Sequence, residues 1–262
     1  MPFCTNCGTR VEVESHFCIG CGKSSNNGTM SVRAAAAPAP AVEPLDYTIQ
    51  GENLQVVRIR LKPGQEVFAE AGKMVYKFPE VRWESRLNGS ESPFLTRFYA
   101  ASASEVGFAG AYPGRIQAFQ LKAGQSMLVE RDGLLCAQST TQMGFAPGER
   151  PNAGLMLERL SGPGTVFLHG GGDFVEFVLN PGQVLEVDAG SIVAFEDSVG
   201  YELRPADAPF GEGLCLAKLT GPGRLVLQSM RIEKMRRELS SFHSGGADEH
   251  DAVPALSGVS GS

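Results

Sequence analysis

Leu179 to Glu196 reads LNPGQVLEVDAGSIVAFE: the end of one strand, a Pro-Gly turn, an alternating strand, and a third strand beyond a glycine. The same design stands twice earlier in the chain. Leu61 to Lys77 reads LKPGQEVFAEAGKMVYK and Leu121 to Gln138 reads LKAGQSMLVERDGLLCAQ, so leucine, proline or alanine, glycine and glutamine recur at offsets of 60 and 58 residues. One hairpin unit is used three times. Aligned on its second glycine, the middle copy carries one extra residue before Gly133, where the others have Gly72 and Gly190. A β-bulge or looser turn is expected to absorb it.

Composition agrees with such a unit. Thirty-two glycines and sixteen prolines exceed what helices tolerate, and short Val-, Leu- and Phe-rich runs lie between them, a pattern of many short strands joined by turns. The class is mainly β. With 262 residues, 42% of them hydrophobic, the chain can bury a sizeable core. A formal net charge of -6 and a pI near 5.3 oppose a general affinity for phosphate backbones, so nucleic acid is not the expected partner. No apolar run approaches the roughly 20 residues needed to span a bilayer, and the opening MPFCTNCGTR lacks the apolar core of a secretory signal. A reducing, cytoplasmic setting is expected.

Cys4, Cys7, Cys18 and Cys21 form C-x2-C-x10-C-x2-C, each pair followed by a glycine. A C-x-x-C turn can wrap a tetrahedral ion, the glycine permits the backbone angles of the knuckle, and four thiolates close the shell of one structural zinc. A closed shell leaves no position for substrate. So short a segment builds little apolar core, and metal binding, about 10–16 kcal/mol in small zinc modules, would supply its folding energy. A disulfide pair or a redox C-x-x-C fits less well, without a secretion signal or a βαβ pattern. Phe3 to Lys23 resembles the short zinc ribbons at the N-termini of many bacterial proteins, and His16 reads as a surface residue. The expected order is a ribbon over 1–24, a flexible linker rich in Ala and Pro over 25–44, a β domain over 45–230, an amphipathic helix over 231–243 and a disordered tail over 244–262.

Within the β domain, Val57, Ile59 and Leu61 alternate with Arg58, Arg60 and Lys62, as a strand does with one face on a core. The segment around Trp83, through Phe94, Phe98 and Tyr99 to the small residues of 100–110, reads as the least regular. Its aromatics suit core packing better than a cleft. Pro113-Gly114, Gly162-Pro163-Gly164 and Gly221-Pro222-Gly223 read as turns that launch strands. They and Gly170-Gly171-Gly172 lack the helix start or Gly-Lys-Ser/Thr of a phosphate loop. Ile232, Met235, Leu239 and Phe242 then recur at helical spacing. A helix capping one open end of the β body is expected there, ahead of a membrane contact.

Catalytic constellations are sparse. His169 is the sole histidine of the β region, which opposes the clustered ligands of cupin metalloenzymes. Cys136 and Cys215 sit in apolar strands and read as buried structural thiols. Glu70, Glu130 and Asp188 recur near one place in the three copies, either as carboxylates gathered on a rim or as a repeated solvent-facing position. Phe210 to Leu214 only echoes a cyclic-nucleotide phosphate cassette, without its arginine.

The repeated LKPGQ-type turn, Gly162-Pro163-Gly164, and Gly211-Glu212-Gly213-Leu214 followed by Thr220 to Ser229 resemble the AIM24 family, also called DUF124, over roughly 45–230. The resemblance implies a fold similar to that of the tryptophan RNA-binding attenuation protein. The family's mitochondrial namesake is tied to inner-membrane organisation, a role not carried over to a chain without an evident targeting sequence. The expectation is a mainly β protein: a β-sandwich of three related hairpin repeats with a zinc ribbon in front and a short helix behind. It would act as a non-enzymatic homo-oligomeric scaffold or binding protein toward an unknown protein partner. RNA binding through ribbon and body, an enzyme with a carboxylate-lined pocket, and a membrane organiser acting through the helix are the alternatives.

Overall fold

The computed structural model describes residues 9–10, 42–86, 95–145, 156–205 and 215–244. Two compact units divide the chain, residues 1–41 and 42–262. Cys4, Cys7, Cys18 and Cys21, the linker before residue 42, Phe94, the Phe210 to Leu214 segment and the tail beyond residue 244 lie outside the described residues.

The second unit opens with β1 (Asp46–Gln50) and then repeats one plan. The first round is β2 (Val56–Leu61), β3 (Glu66–Glu70), β4 (Met74–Lys77), β5 (Val81–Arg86), β6 (Leu95–Ala100) and β7 (Ser104–Ala109). The second is β8 (Gly114–Leu121), β9 (Ser126–Glu130), β10 (Leu134–Gln138), β11 (Gln142–Phe145), β12 (Leu157–Ser161) and β13 (Gly164–Gly171). The third is β14 (Phe174–Leu179), β15 (Val184–Asp188), β16 (Ile192–Glu196), β17 (Gly200–Pro205), β18 (Cys215–Thr220) and β19 (Gly223–Gln228), followed by the helix α1 (Ile232–Ser244). The quoted hairpin is therefore the first half of a six-stranded repeat.

Four antiparallel sheets result, ordered β1-β2-β7-β4, β5-β6-β3-β10-β13-β8, β11-β12-β9-β16-β19-β14 and β15-β18-β17. Behind these orders lies one rule. In every repeat the first, sixth and third strands pair, and the second, fifth and fourth pair. Each six-stranded sheet is then completed by the second strand of one repeat pairing with the third strand of the next, β3 with β10 and β9 with β16.

The local chemistry of the Gln turn explains its recurrence. Gly64, Gly124 and Gly182 hold φ of +83°, +81° and +76°, a region costly to any residue with a Cβ. One residue on, Gln65, Gln125 and Gln183 accept with Oε1 from the N–H of Lys62, Lys122 and Asn180 at 3.1, 2.8 and 3.0 Å. Their own N–H groups donate back to the same three residues' carbonyls. Glutamine closes the turn in both directions.

The middle copy contains no insertion. Ala71–Lys73, Arg131–Gly133 and Ala189–Ser191 are each one 3-10 turn at the same offset, and Gly133 stands where Lys73 and Ser191 stand. The β-bulge expected in one copy occurs in all three, between Met74 and Tyr76, Leu134 and Cys136, and Ile192 and Ala194. It belongs to the repeat, inserting one residue into the third strand, which pairs with its own sixth strand on both sides of the bulge.

Val57, Ile59 and Leu61 are fully buried, as their alternation predicts. The described residues of the Trp83 segment are regular, contrary to their reading as sequence: β5 pairs residue for residue with β6, and β7 with β2. Phe98 is in the core, edge-on to Phe108 with ring centroids 5.1 Å apart, whereas Trp83 is exposed on an edge strand. Buried apolar groups form three clusters: one centred on the first repeat that takes in Ile116, Leu135, Cys136 and Phe167 of the second, one centred on the third that takes in Leu128 and Leu157 of the second, and one shared by the second and third. The shared cluster mixes residues of neighbouring repeats, Val129 and Leu160 with Val193 and Val226. No repeat owns a complete core.

Candidate functional site

A cavity of about 360 Å³ opens where the 3-10 turns of the second and third repeats meet the first turn of α1. Its polar lining includes Tyr112, Glu130, Asp132, Asp188, Gln228, Arg231, Glu233 and Arg237. Two of the three recurring carboxylates are gathered here. Glu70 is not among its walls and faces Arg131 at 3.9 Å.

The recurrence of these carboxylates has a local cause. Each stands immediately before a 3-10 turn, where unpaired amides need acceptors. Glu130 accepts from the Asp132 N–H at 2.8 Å and Asp188 from the Gly190 N–H at 3.1 Å, while Glu70 makes no capping bond. Asp188 also pairs with Arg231, which lies just before the helix. Gly190 makes that pair possible, because a Cβ there would lie 2.4 Å from the Arg231 guanidinium.

Charge is tuned by burial. Glu130 is pushed up to about 7, first by burial and then by the neighbouring Asp132 charge. Burial likewise lifts Glu158 to about 6, against the lowering influence of Arg131, and Tyr112 to about 12. Glu130 therefore exchanges a proton near neutral pH, while Asp188 is committed to Arg231.

Protons held by Glu130 set a pH dependence. Between about 4.5 and about 7 the folded chain keeps a proton that the unfolded chain releases, so stability falls as pH rises through that window. Glu130→Gln keeps the acceptor and removes the charge. We expect it to be about 3 kcal/mol more stable than the parent at pH 8 and nearly equal to it at pH 4. Urea unfolding at the two pH values checks this, and an equal difference at both would contradict it.

Polar residues that the sequence reading left without a role bind the repeats together. Gln228 accepts from the Gly171 N–H at 2.8 Å and donates to the Gly190 carbonyl at 3.1 Å, and Ser229 Oγ accepts from the Asp173 N–H at 2.8 Å. Gln228 and Ser229 thus tie turns together. Gly170 and Gly171 end β13 and Gly172 turns the chain at φ +69°, so no helix follows the triple glycine. Gly164 and Gly223 begin β13 and β19, as the Gly-Pro-Gly reading required.

His169 is buried, its ring 4.7 Å from that of Tyr112. Burial and the Lys73 charge hold its imidazole down at about 4, so it is neutral. Cys136 is fully buried, and burial raises its thiol; Cys215 is only half-buried and lines the cavity, contrary to its reading as an interior thiol. The helix begins one residue later than expected, at Ile232. Ile232 and Met235 are half-buried and Leu239 is exposed. No helix among the described residues is long and apolar enough to cross a membrane. Among the same residues no group of three or more His, Cys, Asp or Glu is placed to hold a metal.

Comparison with known proteins gives consistent matches. The family profile described as "Mitochondrial biogenesis AIM24" matches residues 47–230. An uncharacterised protein of Streptococcus pyogenes serotype M6 is 24% identical over 220 residues, covering 71% of this chain and 86% of its own length. A crystal structure of a Streptococcus pyogenes protein superposes with a TM-score of 0.68 at 22% identity, over 76% of this chain and 99% of that one. The last likeness concerns the fold alone.

Proposed function

The chain belongs to the AIM24 family, and from that premise we propose that it works as a non-enzymatic, oligomeric scaffold with a structural zinc ribbon at its front. One observation carries the reading: the repeats have no cores of their own and are joined by shared sheets, β3 with β10 and β9 with β16. Repeat bodies of this kind are built by stacking and present extended surfaces rather than a single catalytic cleft. A β-sandwich arrangement similar to that of the tryptophan RNA-binding attenuation protein accommodates the same plan. The setting is the cytoplasm, and the partner is protein.

Cys4, Cys7, Cys18 and Cys21 hold one zinc ion in this account, as thiolates in a closed tetrahedral shell. The ion organises the ribbon and takes no part in chemistry. Native mass spectrometry combined with elemental analysis tests both halves of the proposal. The expected result is a multiple of the chain mass with one zinc per chain. Cys4→Ser with Cys7→Ser is expected to lose the zinc and leave the unfolding of the β body unchanged. A monomer overturns the scaffold, and a metal-free chain overturns the ribbon.

A further inference from the structure

We infer that copies of this chain join head to tail by pairing β15 of one molecule with β4 of the next, continuing between molecules the junction that joins repeats within one. The inference rests on the oligomeric reading above and names the surface that reading needs.

The second and third strands of a repeat are the ones used at junctions. β3 and β9 are second strands paired outward, and β10 and β16 are third strands paired outward. Among the described residues, the remaining second strand, β15, and the remaining third strand, β4, end their sheets without a partner. They are the two complementary halves of one more junction. Because the ladder's hydrogen-bonding groups are left open on both, each edge is a template for the other.

Burial marks the vacancy. Leu135 and Val193, at one position of the third strand, are 0% and 1% exposed, whereas their counterpart Val75 is 57% exposed. At a position of the second strand, Val67 and Met127 are buried, but Leu185 is only half-buried. Val75 and Leu185 are thus positions that a neighbouring repeat covers elsewhere. Phe78, the residue after β4, and Val184, the first of β15, are 51% and 47% exposed.

Register follows from the repeat offsets. Inside the chain Cys136 faces Ala69 and Ala194 faces Val129, Ala137 faces Phe68 and Phe195 faces Leu128, Gln138 faces Val67 and Glu196 faces Met127. Moving back 60 residues on the third strand and forward 58 on the second sets Tyr76 opposite Val187, Lys77 opposite Glu186, and Phe78 opposite Leu185. Opposite charges meet in the middle, between two apolar pairs, and neither Lys77 nor Glu186 has an ion-pair partner among the described residues. Ser139 and Asp197 each add a bond from their N–H to the Glu66 and Ser126 carbonyls. Pro79 holds that place in the first repeat and has no N–H, so the intermolecular ladder ends at Phe78, one bond shorter than its internal models. The interface is heterologous, and it closes into rings or runs on as filaments.

Sedimentation velocity over a concentration series on the full chain tests this with Lys77→Glu, Glu186→Lys and the double exchange. Both positions face solvent or lie at an edge, and thermal melts monitor folding. Each single reversal sets like charges opposite one another and is expected to weaken self-association about ten-fold, with the double exchange restoring it to within about three-fold of the parent. If the parent assembles but the single reversals leave its affinity unchanged, or the double exchange fails to restore it, this junction is wrong while the oligomeric reading stands. If the parent stays monomeric at all concentrations, both fall.

Discussion

Gly110→Ala and Gly114→Ala are each expected to cost the β body about 3 kcal/mol, but only the first is expected to be rescued by removing His169. A Cβ at Gly110 would lie 2.2 Å from the His169 ring, while one at Gly114 would lie 2.0 Å from the Gly170 carbonyl oxygen. The two glycines therefore make room for different things. At Gly110 the obstacle is a side chain, so in a His169→Ala background the added methyl finds space and its cost falls below about 1 kcal/mol. At Gly114 the obstacle is backbone: β8 starts there against β13, in register with Gly171, and the Gly114 N–H donates to the Asn53 carbonyl at 2.7 Å. No change of side chain relieves that. A double-mutant cycle in urea checks the contrast, and equal costs for Gly110→Ala in both backgrounds would contradict it.

Phe167→Ala is expected to cost about 3–5 kcal/mol. Phe167 is fully buried in β13, the strand that the second repeat contributes between β10 and β8. Its ring packs in the cluster of the first repeat, and Tyr47 of β1 meets it edge-on with centroids 4.8 Å apart. One side chain thus ties the leading strand and the first repeat to the second. Its loss opens a cavity and releases β1, whose amide exchange is expected to quicken more than that of β19 in the third repeat. A cost under about 1 kcal/mol in thermal or urea unfolding, or uniform loosening of both strands, would show that the repeats are not coupled through this residue.

The turn was the legible part of the fold, because its causes are local. A positive φ and a glutamine acceptor three residues from its donor are written within five consecutive residues, and they recur wherever Pro or Ala, Gly and Gln recur. The fourth strand of each repeat was not legible. Val81–Arg86, Gln142–Phe145 and Gly200–Pro205 occupy the same place yet share no residue pattern, since an edge strand needs only backbone pairing and tolerates any polar face. Gly133 misled the alignment for a related reason. The glycines of the 3-10 turns answer to different neighbours, Val193 at Gly133 and Arg231 at Gly190, and nothing within 4 Å at Gly72.

The cavity was half visible. Glu130 and Asp188 recur in the sequence because each caps a turn, and that pattern is local. What distinguishes them is tertiary: Arg231 reaches Asp188 across 43 residues, and Glu130 sits within a wall that includes Tyr112 from another repeat's connection. No spacing encodes those neighbours. The junction edges stood further out of reach. Val75 and Val193 look alike as letters, and only the pairing of sheets shows that one is covered and the other is not.

The central claim, that strand pairing between the second and third strands joins repeats both within and between chains, is tested most directly by amide hydrogen exchange at high and low protein concentration. The account predicts that the amides of β4 and β15 facing away from β7 and β18 are protected in concentrated solution and exchange rapidly on dilution, while the amides between β3 and β10 and between β9 and β16 stay protected throughout. Rapid exchange of those outward-facing amides at every concentration would contradict it.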